Sequence, residues 1–269
     1  EIVKHGGRNL HKYWYEDRNK DKENAILLVH GHPFNHSMWK YQYETLSQYR
    51  LILPDLIGYG KSDFNFERIL TEEHALDLAL LLDELGIDKV HLIGISMGGQ
   101  VIVEFSRLFP ERTRSLIICT STPNSETESS YNKRLQLADE ILEIGMMEHT
   151  QQTIHKYINI ENNGKGSSVY QHLFEMMSTT PSNGAIASHK GRAERRDNMD
   201  YLKKIDKPTM VIAAEKDSFF KVKDVKSVAD AIKNSSFELI QDSGHLPNME
   251  NPKKFNALLT KFYSKAEKS

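Results

Sequence analysis

Short apolar runs alternate along this chain with longer segments of helical periodicity. Most of these runs are continuous apolar stretches, and they are "AILLV" (25–29), "RLILP" (50–54), "KVHLIGI" (89–95), "SLIICT" (115–120), "TMVIAA" (209–214) and "SFELI" (236–240). Strands that are buried on both faces of a parallel sheet have this pattern. The opening "GRNLHKYWYED" (7–17) alternates instead, and it predicts an antiparallel hairpin at the sheet edge.

Helical patterns occupy the intervals between several of these predicted strands. The segments are "TEEHALDLALLLDELGI" (71–87), "QVIVEFSRLF" (100–109), "KVKDVKSVADAIKN" (221–234) and "NPKKFNALLTKFYSKAEKS" (251–269). Thr71 is a candidate N-cap, and Pro252 is well placed for a first helical turn. The alternation predicts an α/β fold, with a mostly parallel, twisted sheet and helices on both faces.

One long stretch, residues 122–205, breaks this alternation because it contains no strand-like run. It is too long for a connecting loop in a compact domain. We therefore predict a core formed by residues 1–121 and 206–269, with a helical cap inserted at 122–205. A partly disordered insert is the alternative, above all over "ENNGKGSS" (161–168).

Composition narrows the class of protein. The chain has 269 residues, 35 Lys+Arg, 37 Asp+Glu and a formal net charge of -2, so no basic excess points to a nucleic-acid partner. Its one cysteine, Cys119, permits no internal disulfide. No apolar run approaches the roughly 18 residues of a membrane span. We expect a cytoplasmic protein, with export left open because the chain lacks an initiator Met, and the sequence leaves its oligomeric state open.

The stretch "GISMGG" (94–99) carries the first candidate chemistry. It lies between a predicted strand and a predicted helix, the context of a G-x-S-x-G nucleophile elbow. Gly94 and Gly98 flank Ser96 at two residues on either side, where a tight turn leaves no room for side chains, and Gly99 lets the helix begin close to the sheet. We interpret Ser96 as a nucleophile; the alternative is a glycine-rich turn that binds phosphate.

A serine nucleophile needs a base, and the base needs an orienting acid. Asp217 follows the strand "TMVIAA" and is our candidate acid, with Glu215 as the alternative. His245 lies in "QDSGHLPNMENP", beyond the last predicted strand, and is our candidate base. Asp242 is interpreted as a loop residue.

Taken together, these motifs resemble those of the α/β-hydrolase superfamily. The resemblance rests on "HGHPFNHSMW", "LPDLIGYGKSD", "GISMGG", the Asp of "AAEKD" and "SGHLPNMENP", which are spread from residue 30 to residue 252. It points to the small serine hydrolases with a helical cap, which include esterases, enol-lactonases and carbon–carbon bond hydrolases. The α/β-hydrolase fold is what the resemblance implies.

The resemblance also gives an interpretation of "HGHPFNH" (30–36). In the family, a His-Gly-x turn shapes the oxyanion hole, which implies backbone N–H donors from His32 and Met97 here. A metal site on His30, His32 and His36 is the alternative, but these histidines lack a nearby Asp or a second histidine pair at matching spacing. We therefore expect no metal, and the His32 side chain is expected to line the pocket.

In "LPDLIGYGKSD" (53–63), we expect Asp55, Gly58 and Gly60 to shape a turn-rich loop. A phosphate cradle is the alternative, but no helix begins there and the Walker Lys-Ser/Thr pair is missing.

A serine at position 96 argues against the epoxide hydrolases and haloalkane dehalogenases of the superfamily, which carry Asp as nucleophile. We expect a carboxylic ester hydrolase that needs no cofactor and cleaves a small ester or lactone through an acyl-enzyme. The alternatives are a carbon–carbon bond hydrolase acting on a diketo acid, a cofactor-free haloperoxidase or perhydrolase, and a non-catalytic ligand-binding protein.

Two groups within 122–205 bear on specificity. Arg192, Arg195 and Arg196 in "GRAERRD" are interpreted as a solvated helix face, with recognition of a substrate carboxylate as the alternative. The methionine pairs 146–147 and 176–177 are interpreted as core of the cap, with an apolar pocket lining as the alternative.

Overall fold

The structure is a computed structural model that describes residues 4–5, 8–9, 13–62 and 66–266. Its strands are β1 (Lys4–His5), β2 (Arg8–Asn9), β3 (Tyr15–Arg18), β4 (Ala25–Val29), β5 (Arg50–Pro54), β6 (Val90–Ile95), β7 (Thr113–Cys119), β8 (Thr209–Ala214) and β9 (Ser235–Ile240). The last seven form one sheet in the order β3-β5-β4-β6-β7-β8-β9. Each predicted apolar run is a strand, with its ends shifted by at most two residues.

Most of this sheet is parallel. Only β3 runs antiparallel to its neighbour, with Tyr15 opposite Pro54 of β5. The opening segment thus supplies an antiparallel edge strand, as predicted, but β3 pairs with β5 and not with a second strand of the same segment. β1 and β2 pair with each other in a separate sheet. Residues 7 and 10–12 of the predicted hairpin lie outside the described part of the chain.

Helices cover both faces of the sheet. They are α1 (Thr71–Glu84), α2 (Met97–Leu108), α3 (Glu128–Thr153), α4 (Ser168–Ser178), α5 (Ser182–Ala193), α6 (Met199–Leu202), α7 (Val222–Ala231), α8 (Pro247–Glu250) and α9 (Pro252–Ala266). Ala25, Leu27 and Val29 of β4 pack with α1, α2 and α7. Ile26 and Leu28 point to the opposite face and pack with α9. Since successive side chains of a strand alternate between faces, burial of both faces explains the continuous apolar runs.

Two helix starts differ from the sequence prediction. Thr71 is the first residue of α1 and not its cap, because Leu70 precedes the helix and donates its N–H to the Glu73 carboxylate at 2.8 Å. α2 begins at Met97, three residues before the predicted start, because the helix follows directly on the turn at Ser96. α9 begins at Pro252, as predicted.

Residues 122–205 contain four of these helices, α3 to α6, and no strand. α3 is kinked at Gly145, which has φ 74° and ψ 170° in the middle of the helix. Nothing lies within 4 Å of the position that a side chain would occupy there. Among the described residues, every helix is too short or too polar to cross a lipid bilayer.

Candidate active site

The turn between β6 and α2 holds Ser96 in a strained backbone conformation. Ser96 has φ 56° and ψ -119°, a region that residues other than glycine rarely adopt. The Ser96 N–H donates to the Cys119 carbonyl at 3.0 Å, and the Ser121 hydroxyl donates to the Ser96 carbonyl at 2.7 Å. The end of β7 therefore holds the turn in place.

The glycines around Ser96 are sterically required. A Cβ added to Gly94 would overlap the Gly98 carbonyl, and a Cβ added to Gly98 would overlap the Val29 carbonyl. A Cβ on Gly99 would lie 2.6 Å from the Ser121 Cβ. The close approach that the sequence predicts at these positions is therefore present, because backbone packs against backbone at Gly94 and Gly98 and against the Ser121 side chain at Gly99.

Asp217 and His245 meet beyond the ends of two neighbouring parallel strands, β8 and β9. His245 Nδ1 lies 3.0 Å from both carboxylate oxygens of Asp217, and both side chains are 1% exposed. Because a carboxylate only accepts, Nδ1 carries the proton and Nε2 is left as an acceptor. Glu215, the alternative acid, accepts instead from the Asp242 N–H at 3.0 Å.

A buried carboxylate, Glu250, holds the loop that carries His245. It accepts from the N–H groups of Gly244 at 2.9 Å and Leu246 at 3.1 Å, the two neighbours of His245. It also accepts from the Asn159 N–H at 2.8 Å, in the helical segment. Burial raises the pKa of Glu250, although these three backbone donors act in the opposite direction.

A cavity of about 920 Å³ joins the core to residues 122–205. Ser96, His245 and His32 line it from the core, so the structure brings these three predicted residues together. Asp217 lies behind His245, outside the cavity wall. The Met97 side chain is buried, and its sulfur is approached by the Tyr59 hydroxyl at 3.5 Å.

The backbone N–H groups of His32 and Met97 lie just beyond the ends of β4 and β6, respectively. Neither N–H donates a hydrogen bond to another group in the described part of the chain. The Met97 N–H is at the first residue of α2, where the helix dipole favours negative charge.

The three histidines of residues 30–36 have separate partners. His30 Nε2 accepts from the Leu56 N–H at 2.9 Å, and burial lowers the pKa of His30 to about 4. His36 Nδ1 lies 2.7 Å from Asp55, so an aspartate is nearby after all, contrary to the expectation from spacing. Within the described residues, no three metal-binding side chains are grouped as a metal site would require.

Asp55 organises its loop, as the sequence predicts. Its carboxylate accepts from the N–H groups of His36 and Lys61, each at 2.9 Å. Gly60 has φ 54°, and a Cβ there would overlap the Asp55 carboxylate. Gly58 also has a positive φ, 88°. The Asp55 carboxylate and the two glycines therefore set the backbone path of this loop.

The arginines of "GRAERRD" do not form a single solvated face. Arg192 and Arg195 are buried and line the cavity, whereas Arg196 is exposed. The expectation is therefore wrong for Arg192 and Arg195, because the end of α5 packs inward against the core. Arg195 and Arg134 both pair with the Glu126 carboxylate. The burial of Glu126 acts to raise its pKa, but these two guanidinium groups lower it to about 2.

The methionines of this segment belong mainly to its core, as expected. Met146, Met176 and Met177 are buried, while Met147 is 52% exposed. None of the four lines the cavity.

Four side chains around the site were not singled out from the sequence: Tyr59, Glu126, His189 and Glu250. Tyr59 donates to or accepts from His32 Nδ1 at 2.7 Å, and His189 packs its ring against His32 at a centroid distance of 4.4 Å. Of these four, only Glu250 could have been found from the sequence, because it is an acidic residue in an otherwise apolar and amide-rich turn close to His245.

Comparison with known proteins gives the same architecture. A family model described as alpha/beta hydrolase fold matches residues 24–141 and 168–252. The 3-oxoadipate enol-lactonase 1 of Acinetobacter baylyi is 29% identical over 243 residues, covering 89% of this chain and 89% of the relative.

Two solved structures have similar folds. A thermophilic esterase from Thermogutta terrifontis, with malate bound, superposes with a TM-score of 0.92 at 30% identity, covering 98% of this chain and 97% of the esterase. An enol-lactonase from Burkholderia xenovorans superposes with a TM-score of 0.87 at 19% identity, covering 98% of this chain and 100% of the enol-lactonase. The chain belongs to the alpha/beta hydrolase family and has the α/β-hydrolase fold.

Proposed function

We propose that this protein is a serine hydrolase that cleaves a small carboxylic ester or lactone through an acyl-enzyme. One observation carries the proposal: Ser96, on its strained turn, lines the same cavity as His245, whose Nδ1 is 3.0 Å from Asp217. Nucleophile, base and orienting acid are the three groups that acyl transfer by serine requires.

In the proposed mechanism, the acid fixes the tautomer of the base. Asp217 accepts the Nδ1 proton of His245, and this leaves Nε2 free to take the proton of the Ser96 hydroxyl. As that proton leaves, Ser96 Oγ attacks the substrate carbonyl and forms a tetrahedral intermediate. His245 then gives the proton to the departing alcohol oxygen, and the acyl-enzyme remains.

Water completes the cycle by the same chemistry. His245 takes a proton from water, the resulting oxygen nucleophile attacks the acyl-enzyme, and the proton returns to Ser96 as the acid departs. In both halves, an anionic oxygen needs fixed donors. We assign the free N–H groups of His32 and Met97 to this oxyanion hole, where loss of one donor typically costs roughly 10²–10³ in rate.

We further propose that residues 122–205 form a cap over a core of residues 1–121 and 206–269. The helices of this segment contribute residues such as Arg134, His149 and Arg192 to the wall of the cavity that Ser96 lines. A cap of this kind limits the entry of water and of large substrates. The esterase and enol-lactonase among the similar proteins support a small ester or lactone as substrate.

The test is the Ser96→Ala variant, assayed with p-nitrophenyl acetate and p-nitrophenyl butyrate. We expect kcat to fall by roughly 10⁴-fold or more, because the remaining groups cannot form an acyl-enzyme. Ser129→Ala is the matched control, since Ser129 lines the same cavity but is exposed and lies in the helical segment. Its activity should stay within about twofold of the wild type.

Hydrolysis by folded Ser96→Ala at the wild-type rate would overturn the assignment. Labelling by a fluorophosphonate probe tests whether Ser96 is reactive, and repeated turnover then separates an enzyme from a ligand-binding protein with a reactive serine. Both would be labelled at Ser96, but only the enzyme releases p-nitrophenol repeatedly.

Cleavage of a carbon–carbon bond in a diketo acid is a second candidate, favoured by the buried guanidinium of Arg192 in the cavity wall. It uses the same serine, so Ser96→Ala does not separate the two. The ratio of turnover between simple esters and a diketo acid does.

A further inference from the structure

Among the buried and half-buried side chains of the cavity wall, positive charges outnumber carboxylates, and Glu140 is paired with His149 at 2.9 Å. Arg134, Arg192 and Arg195 all line the cavity, and Glu126 is the carboxylate that pairs with two of them, Arg134 and Arg195. Arg192 is left over. Its side chain makes no ion pair and no hydrogen bond within the described residues.

Arg192 is also deeply buried, with 6% of the residue exposed, and its Nε has no partner. An uncompensated charge at such a site is costly. Burial, together with the neighbouring Arg134, lowers the pKa of Arg192 to about 9, so the guanidinium still carries its charge at neutral pH. An anion in the cavity would compensate it.

Two neutral imidazoles lie in the same wall. His189 has both ring nitrogens buried without a partner, and His32 has its Nε2 in the same state. Burial and neighbouring positive charges lower the pKa of both histidines well below the usual value, so each ring is neutral near pH 7. The site therefore offers one cation and neutral ring N–H groups, a set that suits one anionic oxygen group.

The position of this cluster is fixed by close backbone packing. A Cβ on Gly184 would overlap the Gly58 carbonyl, and a Cβ on Gly191 would overlap the Ile69 carbonyl. α5 is thus held against the core at Gly184 and Gly191. His189 lies between these two glycines in the sequence, and Arg192 follows Gly191 directly. The cluster is a built part of the cavity and not a flexible surface group.

We propose that this cluster binds a free carboxylate of the substrate, so that the preferred substrate is an ester or lactone that also carries a carboxylate. The carboxylate pairs with Arg192, and the unpartnered ring nitrogens of His189 and His32 complete its hydrogen bonds. This inference rests on the proposed function, since it identifies the substrate class of the same site.

The test compares two esters of matched size, monoethyl succinate and ethyl butyrate, in which a carboxylate replaces a methyl group. We expect the wild type to prefer the monoanion by about 30-fold or more in kcat/KM, because truncating one side of a buried charge pair typically has an effect of this order. Arg192→Met should remove this preference, with a loss of about 30-fold or more for the monoanion and less than about threefold for ethyl butyrate.

Arg196→Met is the matched control, because Arg196 lies four residues further along and is exposed. It should keep the wild-type preference. Arg192→Lys retains the charge and should recover part of the preference without the two-pronged geometry of a guanidinium. Thermal unfolding of each variant shows whether the fold is retained.

Binding is measured separately from turnover by calorimetric titration of succinate into Ser96→Ala and into Ser96→Ala combined with Arg192→Met. We expect the second variant to bind at least about 10-fold more weakly. Hydrolysis of ethyl butyrate without any preference for the monoanion overturns the carboxylate site and leaves the proposed function standing. Succinate binding that depends on Arg192, without hydrolysis of either ester, retains the site and overturns the ester reaction.

Discussion

The turn at Ser96 and the helical segment 122–205 face the same cavity, but they are built by different physical means. At the turn, backbone atoms touch, and glycines stand where any side chain would overlap a carbonyl. In the helical segment, Gly184 and Gly191 also pack against carbonyl groups where α5 meets the core, but the side chains that face the cavity are charged groups buried with incomplete partners. The comparison indicates that close backbone packing positions the proposed nucleophile, whereas the charged side chains of the helical segment select which substrates enter the cavity.

The largest effect is expected from the buried acid behind His245. Asp217→Asn should lower kcat by about 10⁴-fold while the fold is kept, because an amide cannot stabilise the imidazolium and can hold the wrong tautomer. The measurement is steady-state hydrolysis of p-nitrophenyl butyrate. Glu215→Gln, at the rejected alternative, is the control and should keep kcat within about threefold. A reversed ranking of these two variants would refute the assignment of the acid.

A second prediction compares the effect on stability of replacing Gly98, in the turn at Ser96, with that of replacing Gly166, in the helical segment. Gly98→Ala should destabilise the protein by more than about 3 kcal/mol, since its methyl group must displace the carbonyl of Val29. Gly166→Ala in the helical segment meets nothing within 4 Å and has no positive φ, so it should be neutral or stabilise by up to about 1 kcal/mol. Urea unfolding measures both. Equal stabilities would show that the backbone at Gly98 is not packed more tightly than the backbone at Gly166.

The smallest effect is expected at Glu250, whose carboxylate links the His245 loop to the helical segment. Glu250→Gln leaves one acceptor oxygen where three N–H groups now bind a carboxylate, so the His245 loop should lose its fixed position. We expect kcat to fall by about 10-fold with KM nearly unchanged, because substrate contacts are not altered. Glu238→Gln, at a partly exposed carboxylate of β9, is the control. An effect on KM alone would contradict a positioning role for Glu250.

The parts of the site that the sequence predicts are those with a local cause. Ser96, Gly94 and Gly98 are recognisable because one short turn imposes their residue types. Asp217 and His245 are recognisable because each follows a predicted strand, and parallel strands bring their carboxyl ends to one edge. The α/β architecture follows in the same way from runs that are buried on both faces.

The burial of Arg192 and Arg195 has no local cause, and the expectation of a solvated face for both is wrong for this reason. Whether a charged helix end faces water or the core depends on contacts such as that of Gly191 with Ile69, which are more than a hundred residues apart in the chain. The role of Glu126 also has no local cause. Its ion pairs with Arg134 and Arg195 are recognisable only in the structure, which brings the two guanidinium groups to the same carboxylate.

The bend at Gly145 has a consequence for how much surface a single helix can contribute. A straight helix of 26 residues would extend about 39 Å in a single direction. With the bend, Arg134 and Leu137 line the cavity from the part of α3 before Gly145, and His149 and Thr153 line it from the part after Gly145. Gly145 thereby lets one helix form two parts of the cavity wall. Substitutions before Gly145 can change one part of the wall without changing the part formed after it.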